Sequence, residues 1–218
     1  MKKLLLLVLI TFTTLSADVE LKDGNYSWFI GDSQAFITIE KEKGNLYHIA
    51  GECIYGMGRK LGPNIGTLNF SATLVNEKII YRDKEDGNYT FILSLNKDGS
   101  FNVDEKGNLP FGYKAYFYGH FTSDDLPSFD CKKTKILIED AICNNIEIAQ
   151  LDKKMARYYA TYQRAFYFEK NKETLEKKLE QEQKVWIKNR NACVSKKSYK
   201  SCLINSYKQR IEMIKTFW

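Results

Sequence analysis

The chain has 218 residues, 44% of them hydrophobic and 28% charged, with a formal net charge of +6. This length suffices for two small domains or one larger one. Beyond the first 17 residues no segment is apolar enough to span a membrane, which excludes a membrane-spanning helical protein. No nucleic-acid-binding motif accompanies the positive charge, so we expect no nucleic-acid partner.

The N-terminus has the features of a secretory signal peptide. Lys2 and Lys3 precede an apolar run at residues 4–10, and Ala17 ends a small-residue stretch suited to cleavage. The run is shorter than the roughly 20 apolar residues that a spanning helix needs. We therefore predict a signal peptide at residues 1–17 and a mature protein that is periplasmic or secreted.

Residues 18–122 have the pattern of short β-strands. Apolar and polar residues alternate in GTLNFSATLV, NYTFILSLN and GYKAYFYGHF, as half-buried strands require. Turn signals separate these runs, namely Asp-Gly-Asn at 23–25 and 86–88, Lys-Gly-Asn at 43–45 and 106–108, and Asp-Gly-Ser at 98–100. We predict about eight strands in a small antiparallel β-barrel, since closure removes exposed edges. A two-sheet sandwich is the alternative.

After a predicted linker at 123–130, the apolar period changes to three or four residues. Leu151, Met155, Tyr158, Tyr162 and Phe166 form one such stripe. We predict a short helix at 137–143, two long helices in a hairpin, the second capped by Asn171, and a C-terminal helix. The fold class is thus α+β with two domains, the second being a domain of three to four helices at 131–218.

The two halves differ in charge. Residues 18–129 carry 11 Lys+Arg against 16 Asp+Glu, a net of −5, whereas residues 130–218 carry 20 against 11, a net of +9. Such an asymmetry bears on partners and solubility rather than on the fold.

Five cysteines are present, and in an oxidising compartment most are expected to pair. We favour local disulfides, Cys131–Cys143 and Cys193–Cys202; the alternative joins the early pair to the late pair. Each cross-link would stabilise the thin helical domain by about 3 kcal/mol. Cys53 remains as a free or an intermolecular thiol.

The helical half resembles the LprI-like lysozyme-inhibitor family. The segments PSFDC, AIC, LDKKMARYY, QEQKVWIKNRNAC and CLINSYKQRI carry the resemblance, with Ile187 where the family pattern usually has Leu and Asp140 where Lys or Arg is common. The preceding half, through Gly-Pro-Asn-Ile-Gly at 62–66, looks like a barrel module often found beside this helical domain in exported bacterial proteins.

This resemblance implies an exported bacterial protein that blocks a peptidoglycan-cleaving lysozyme. The family-matched positions that we interpret as structural are Asp130, Asp152, Tyr159, Trp186, Arg190, Tyr207 and Arg210. Trp186 shares a helix face with Cys193, which indicates a core position. For Asp152, Arg190 and Arg210 two interpretations stay open, ion pairs within the domain or a ligand-binding surface.

No constellation of residues indicates an enzyme. His48 and His120 lack neighbours at zinc-ligand spacing, and no family signature surrounds Cys53. We therefore name no catalytic residue, metal ligand or cofactor. Asn25 and Asn88 lie in the pattern Asp/Glu-x-Asn-x-Ser/Thr and are candidate glycan acceptors, although Asp-Gly-Asn is also ordinary turn chemistry.

The leading hypothesis is a lysozyme inhibitor, whose partner is a lysozyme or another peptidoglycan-cleaving enzyme. The alternative is a periplasmic envelope binding module for peptidoglycan, a small ligand or an envelope protein. If the target is a basic lysozyme, long-range charge favours contact through the β half; contact through the helical half suits an acidic enzyme.

Overall fold

The computed structural model describes residues 20–57, 62–83 and 88–216. The predicted signal peptide lies outside these residues, and so do Asp86 and Gly87 of the predicted Asp-Gly-Asn turn signal. None of the described helices combines the length and the hydrophobicity needed to cross a membrane.

The N-terminal part is a nearly closed antiparallel barrel. In the described part of the chain its eight strands are β1 (Gly24–Ile30), β2 (Ser33–Lys43), β3 (Leu46–Tyr55), β4 (Asn64–Thr73), β5 (Lys78–Arg82), β6 (Thr90–Leu95), β7 (Phe101–Lys106) and β8 (Gly119–Ser123). They pair in the order β4-β3-β2-β1-β8-β7-β6-β5. The predicted barrel is confirmed, and the sandwich alternative is not found.

Aromatic stacking covers the gap between the two end strands. The rings of Phe70 on β4 and Tyr81 on β5 stack with centroids 4.0 Å apart. The strands are joined by a two-residue turn in which Asn76 and Glu77 both have positive φ, 49° and 61°. That geometry suits the right-handed twist of a tight hairpin, so β4 and β5 are neighbours although they share no ladder.

The apolar residues of the alternating runs face inward, as predicted. Phe70, Phe91 and Leu93 are buried, whereas Thr67 and Asn69 are exposed. One of the predicted strand runs is wrong in part, however, because residues 112–118 of GYKAYFYGHF form no strand and only Gly119 onward joins β8.

The connection between β7 and β8 instead packs inward. The ring of Phe111 lies against Gly66, where a Cβ atom would come within 2.5 Å of it, and Phe117 lies similarly close to Gly51. The two phenylalanine rings are 5.4 Å apart. Glycine on β3 and β4 therefore makes the space into which this connection folds.

Glu105 anchors the same connection. One carboxylate oxygen accepts a hydrogen bond from the Tyr89 hydroxyl at 2.6 Å, and the other accepts from the backbone N–H groups of Phe117 and Tyr118 at 2.7 and 2.8 Å. Burial raises the pKa of Glu105, and the hydrogen bonds from Tyr89, Tyr118 and Phe117 oppose that rise. These backbone groups bond to a side chain instead of a neighbouring strand, which explains why the alternating pattern does not make a strand here.

The C-terminal part is helical. Its four described α-helices are α1 (Leu137–Cys143), α2 (Ile146–Ala165), α3 (Lys172–Asn191) and α4 (Tyr199–Lys215). Asn145 caps α2 by accepting from the Ile148 N–H at 3.2 Å. Asn171 occupies the predicted cap position of α3, but its side chain makes no capping hydrogen bond.

The predicted hairpin of two long helices needs correction. The most extensive helix pairing joins α2 with α4, whereas α3 packs mainly on α4 and on the short 3-10 segments Phe166–Phe168 and Ala192–Ser195. The reason is that the apolar stripe of α2 is matched by Leu203, Tyr207 and Ile211 of α4, which are all buried.

Both disulfides are local. Cys131 is bonded to Cys143 and ties the segment before α1 to the end of that helix, while Cys193 is bonded to Cys202 and closes the turn before α4. Cys53 is a free thiol, buried within the barrel on β3. Burial raises its pKa to about 12, and its lack of exposure favours the free thiol over an intermolecular disulfide.

One basic face of α2 joins the helices to the barrel. The ammonium group of Lys153, 6% exposed, donates to the carbonyl oxygens of Thr122 and Ser123 at 2.7 and 3.0 Å and pairs with Asp124 at 3.0 Å. Burial lowers the pKa of Lys153, and Asp124 opposes this change. Lys153 thus holds the end of β8 against α2.

Two further cations continue this face. The Arg157 guanidinium lies 4.6 Å from the centroid of the Phe36 ring, and the Arg164 Nε lies 3.9 Å from a carboxylate oxygen of the buried Asp32. Residues 153, 157 and 164 recur at helical spacing on α2. Some of the charges that make the two halves differ therefore form contacts between the helices and the barrel.

We expect Glu105→Gln to lower the free energy of unfolding by about 2 kcal/mol, since an amide nitrogen cannot accept the hydrogen bonds that one carboxylate oxygen receives. Urea denaturation followed by near-UV circular dichroism measures this. Glu52→Gln, at an exposed position of β3, is the control. Equal stability of the two variants would contradict the anchoring role of Glu105.

We expect Lys153→Met to make the two parts unfold separately and to lower the free energy of unfolding by about 2–3 kcal/mol. The reason is that it leaves buried carbonyl groups and Asp124 without their cation. Wild-type transitions measured at 222 nm and in the near-UV should coincide, and those of the variant should not. Lys154→Met, at the exposed neighbouring position, should resemble the wild type. Coincident transitions in Lys153→Met would refute the coupling.

Candidate functional site

A buried hydrogen-bond network lies at the centre of the helical region. Asp152 of α2 accepts from the Tyr207 hydroxyl at 2.7 Å through one oxygen. Its other oxygen accepts from the Ser128 N–H at 2.9 Å and from the Ser128 hydroxyl at 2.6 Å. The carboxylate therefore joins the segment before α1 to helices α2 and α4.

Arg190 of α3 completes this network. Its Nη1 donates to the Tyr207 hydroxyl at 3.1 Å and lies 3.9 Å from Asp152. The guanidinium also lies 5.2 Å from the centroid of the Trp186 ring. Burial and the neighbouring Asp152 raise the pKa of Tyr207, which keeps this phenol neutral between the two charges.

These positions favour the interpretation of Asp152 and Arg190 as partners within the domain. Asp152 and Tyr207 are buried, so neither side chain presents a surface to a ligand. Trp186 packs on Tyr207 with ring centroids 5.2 Å apart and donates from Nε1 to the Ser206 carbonyl at 3.1 Å.

An apolar groove of about 410 Å³ lies between α3 and α4, and we call it the α3–α4 groove. Its lining residues are Gln181, Glu182, Val185, Trp186, Asn189, Ser206, Gln209, Arg210 and Met213. The side chains of Val185 and Met213 are 62% and 54% exposed, while Trp186 is nearly buried. The groove thus has apolar sides that are open to solvent.

Arg210 lines this groove with an incomplete set of hydrogen bonds. It is 1% exposed, and it donates from Nε to Gln183 at 3.0 Å and from Nη1 to Glu182 at 3.2 Å. Its Nη2 has no hydrogen-bond partner among the described residues. A buried donor left in this way costs about 1–3 kcal/mol, so this corner of the groove is suited to an acceptor from outside.

A second exposed feature lies on the barrel. The Lys114 ammonium is 5.3 Å from the centroid of the Tyr113 ring and 5.5 Å from that of Tyr55. Lys114 has φ of 58°, which is unusual for a residue other than glycine. The neighbouring Tyr113 carbonyl accepts from Asn64 at 2.9 Å, so the position of this cation is fixed by the loop that Glu105 anchors.

The remaining predicted site residues lie apart from the groove. Asp130 accepts from the Lys132 N–H at 3.0 Å at the start of the 3-10 segment Cys131–Lys133, and Tyr159 packs at the edge of the helical core. The amide oxygen of Asn25 accepts from the Thr38 hydroxyl at 2.9 Å, and both Asn25 and Asn88 are exposed. Both asparagines stay candidate glycan acceptors.

The two histidines lie on the outer surface of the barrel. His48 lies 3.4 Å from the Ser71 hydroxyl, and His120 lies 3.0 Å from the Asn102 side chain. Over the stretches that the structure describes, no group of three or more His, Cys, Asp or Glu side chains is placed to hold a metal ion.

Sequence patterning does not identify Val185 and Met213 as groove residues. Both lie off the apolar stripes of their helices, which run through Leu179 and Trp186 on α3 and through Leu203, Tyr207, Ile211 and Ile214 on α4. An apolar residue outside an amphipathic stripe was the available signal, but single exposed apolar residues are too common to be informative alone.

We expect Tyr207→Phe to lower the free energy of unfolding by about 1–3 kcal/mol, because Asp152 and Arg190 lose the hydroxyl that bridges them within the core. Thermal and urea denaturation measure the change. Tyr199→Phe, at a partly buried position on the same core, is the control. A Tyr207→Phe protein as stable as this control would show that the network does not hold the helices.

Residues 131–213 match the family model described as Lysozyme inhibitor LprI. Neither a search of curated proteins nor a search of solved structures gives a significant match. The matched range contains both disulfides, the α3–α4 groove and all four helices apart from the last residues of α4, together with the Asp152 network apart from Ser128. The helical region, rather than the barrel, is therefore where this chain matches the lysozyme inhibitor LprI family.

Proposed function

We propose that this protein is an exported, non-enzymatic inhibitor of a lysozyme and acts by protein–protein contact. The observation that carries the proposal is the family match over residues 131–213. The disulfides, the buried Asp152 network and the α2–α4 packing all fall within this range or contact it, so the matched part is a folded unit able to present a defined surface.

Export is consistent with the cysteine chemistry. Two disulfides persist in an oxidising compartment and are rare in the reducing cytosol. The sequence at residues 1–17 has the signal-peptide pattern. We place the mature protein in the periplasm or outside the cell, with a barrel domain at 18–122, a linker at 123–130 and the helical domain from 131.

The contacts between the two parts alter the electrostatic argument about the target. The net charge of +9 on residues 130–218 would repel a basic lysozyme if all of it faced outward. Lys153 and Arg164 instead face Asp124 and Asp32 of the barrel side. The helical region therefore repels a basic partner less than its sequence charge indicates, although its remaining charge is still positive.

The alternative, an envelope binding module, is favoured by the Lys114 cluster on the barrel. An exposed ammonium beside two tyrosine rings can bind an anionic saccharide such as peptidoglycan. A small ligand inside the barrel is disfavoured, because Phe91, Phe117 and Phe121 fill its interior.

We expect the purified, oxidised protein to slow the lysis of a peptidoglycan suspension in a saturable way. At a protein concentration ten times the Kd, the lysis rate should fall about tenfold by mass action. A panel of basic and acidic lysozymes is assayed, and a reduced and alkylated sample, which lacks both disulfides, is the control.

Sedimentation with purified sacculi separates the two hypotheses. The inhibitor forms a complex with the enzyme whether or not cell wall is present. If the folded protein inhibits no enzyme of the panel but sediments with sacculi, the binding module replaces the inhibitor as the function.

A further inference from the structure

We propose that the α3–α4 groove is the surface that binds the lysozyme, and that it takes an apolar side chain of the enzyme lying next to a hydrogen-bond acceptor. This inference rests on the proposed function and adds the site and the chemistry of the contact. The groove lies in the part of the chain that matches the LprI family.

The surface of the groove is mainly apolar. Val185 and Met213 form exposed sides, and Trp186 forms the floor. A saccharide presents many hydroxyl groups and would leave them without partners on such a surface. A protein side chain such as Leu, Phe or Tyr gains free energy by leaving water here, and Trp is a residue type that often dominates protein–protein binding.

Arg210 carries a buried donor without a hydrogen-bond partner among the described residues, its Nη2 atom. Its Nη2 lies in a buried guanidinium that Glu182 and Gln183 already satisfy on the other nitrogens. A carbonyl or carboxylate oxygen of the partner would complete this set. Met213, whose unbranched side chain is adaptable, lines the same groove and is 54% exposed.

The local charge of the groove is close to zero. The Arg210 guanidinium and the Glu182 carboxylate form an ion pair within the groove, with Nη1 and the oxygen 3.2 Å apart. The other lining side chains are uncharged. A nearly neutral apolar patch on a basic domain lets the contact form by burial of surface instead of attraction of net charge.

The bulk of the bound protein accounts for inhibition. Lysozyme must admit a polymeric substrate to a cleft that carries its two catalytic carboxyl groups. A 25.4 kDa chain bound beside that cleft blocks the polymer by steric exclusion. The inhibitor therefore needs no group that reaches the catalytic carboxyl groups themselves.

The test compares Val185→Glu and Met213→Glu with Ile146→Glu, each in the full mature chain. Ile146 is 61% exposed at the start of α2 and does not line the groove. We expect each groove variant to weaken inhibition of a basic lysozyme at least about tenfold, since a carboxylate would be buried against the partner, and the control to stay within about twofold. All three changes add a negative charge, which long-range attraction to a basic enzyme would favour, so repulsion cannot explain a loss.

A binding measurement that does not depend on lysis uses the indole signals of the ¹⁵N-labelled protein. Addition of lysozyme should shift the Trp186 indole signal, whose N–H donates to Ser206 at the groove, and leave that of the barrel residue Trp28 unchanged. Val185→Glu should abolish the shift at the same enzyme concentration.

The outcomes separate this inference from the proposed function. If the wild type inhibits and the groove variants inhibit equally well, the groove is not the site although the function stands. If Lys114→Glu weakens inhibition and Val185→Glu does not, the barrel makes the contact, and the inference is overturned. If the folded wild type neither inhibits nor binds any lysozyme of the panel, both proposals fail.

Discussion

Two adjacent and oppositely charged residues on α2 hold this molecule together. Asp152 and Lys153 are both buried, and their side chains leave the helix about 100° apart. Asp152 binds Ser128 and Tyr207 and so fixes the other helices, while Lys153 binds the end of β8 and so fixes the barrel. Neither charge could be buried without these partners, so the position of α2 determines how the two parts of the protein meet.

This arrangement gives a physical meaning to the charge difference between the halves. A basic face on α2 meets acidic residues at the edge of the barrel, and the pairs of Lys153 with Asp124 and of Arg164 with Asp32 lie at their junction. Sequence charge alone suggested two surfaces directed at outside partners. The structure shows that some of these charges hold the two parts of the same chain together.

The sequence predicted those features that depend on local rules. Alternation at residues 67–74 and 89–95 predicted the strand faces correctly, and the short helix at 137–143 was predicted with its bounds. The strand predicted at 112–118 was wrong, because the carboxylate of Glu105 accepts hydrogen bonds from the backbone N–H groups of Phe117 and Tyr118 in place of a neighbouring strand. The hairpin was wrong for a similar reason, since periodicity indicates an apolar face but not which helix covers it. The α3–α4 groove could not be predicted from periodicity, because its exposed apolar sides, Val185 and Met213, lie outside the stripes.

The groove is also a consequence of the position of α2. One face of α2 is covered by the barrel and another by α4, so α3 packs mainly on α4 and on the short 3-10 segments and reaches α2 through the side chain of Arg190. Arg190 and Trp186 hold one side of α3 against the Asp152 network, and Val185 on the same helix is left without a covering element in the described structure. Because Arg190 fixes α3 against Tyr207 and Asp152, it also fixes the position of the groove-lining residues on the same helix. The stability of the helical region and its proposed binding surface therefore depend on the same contacts.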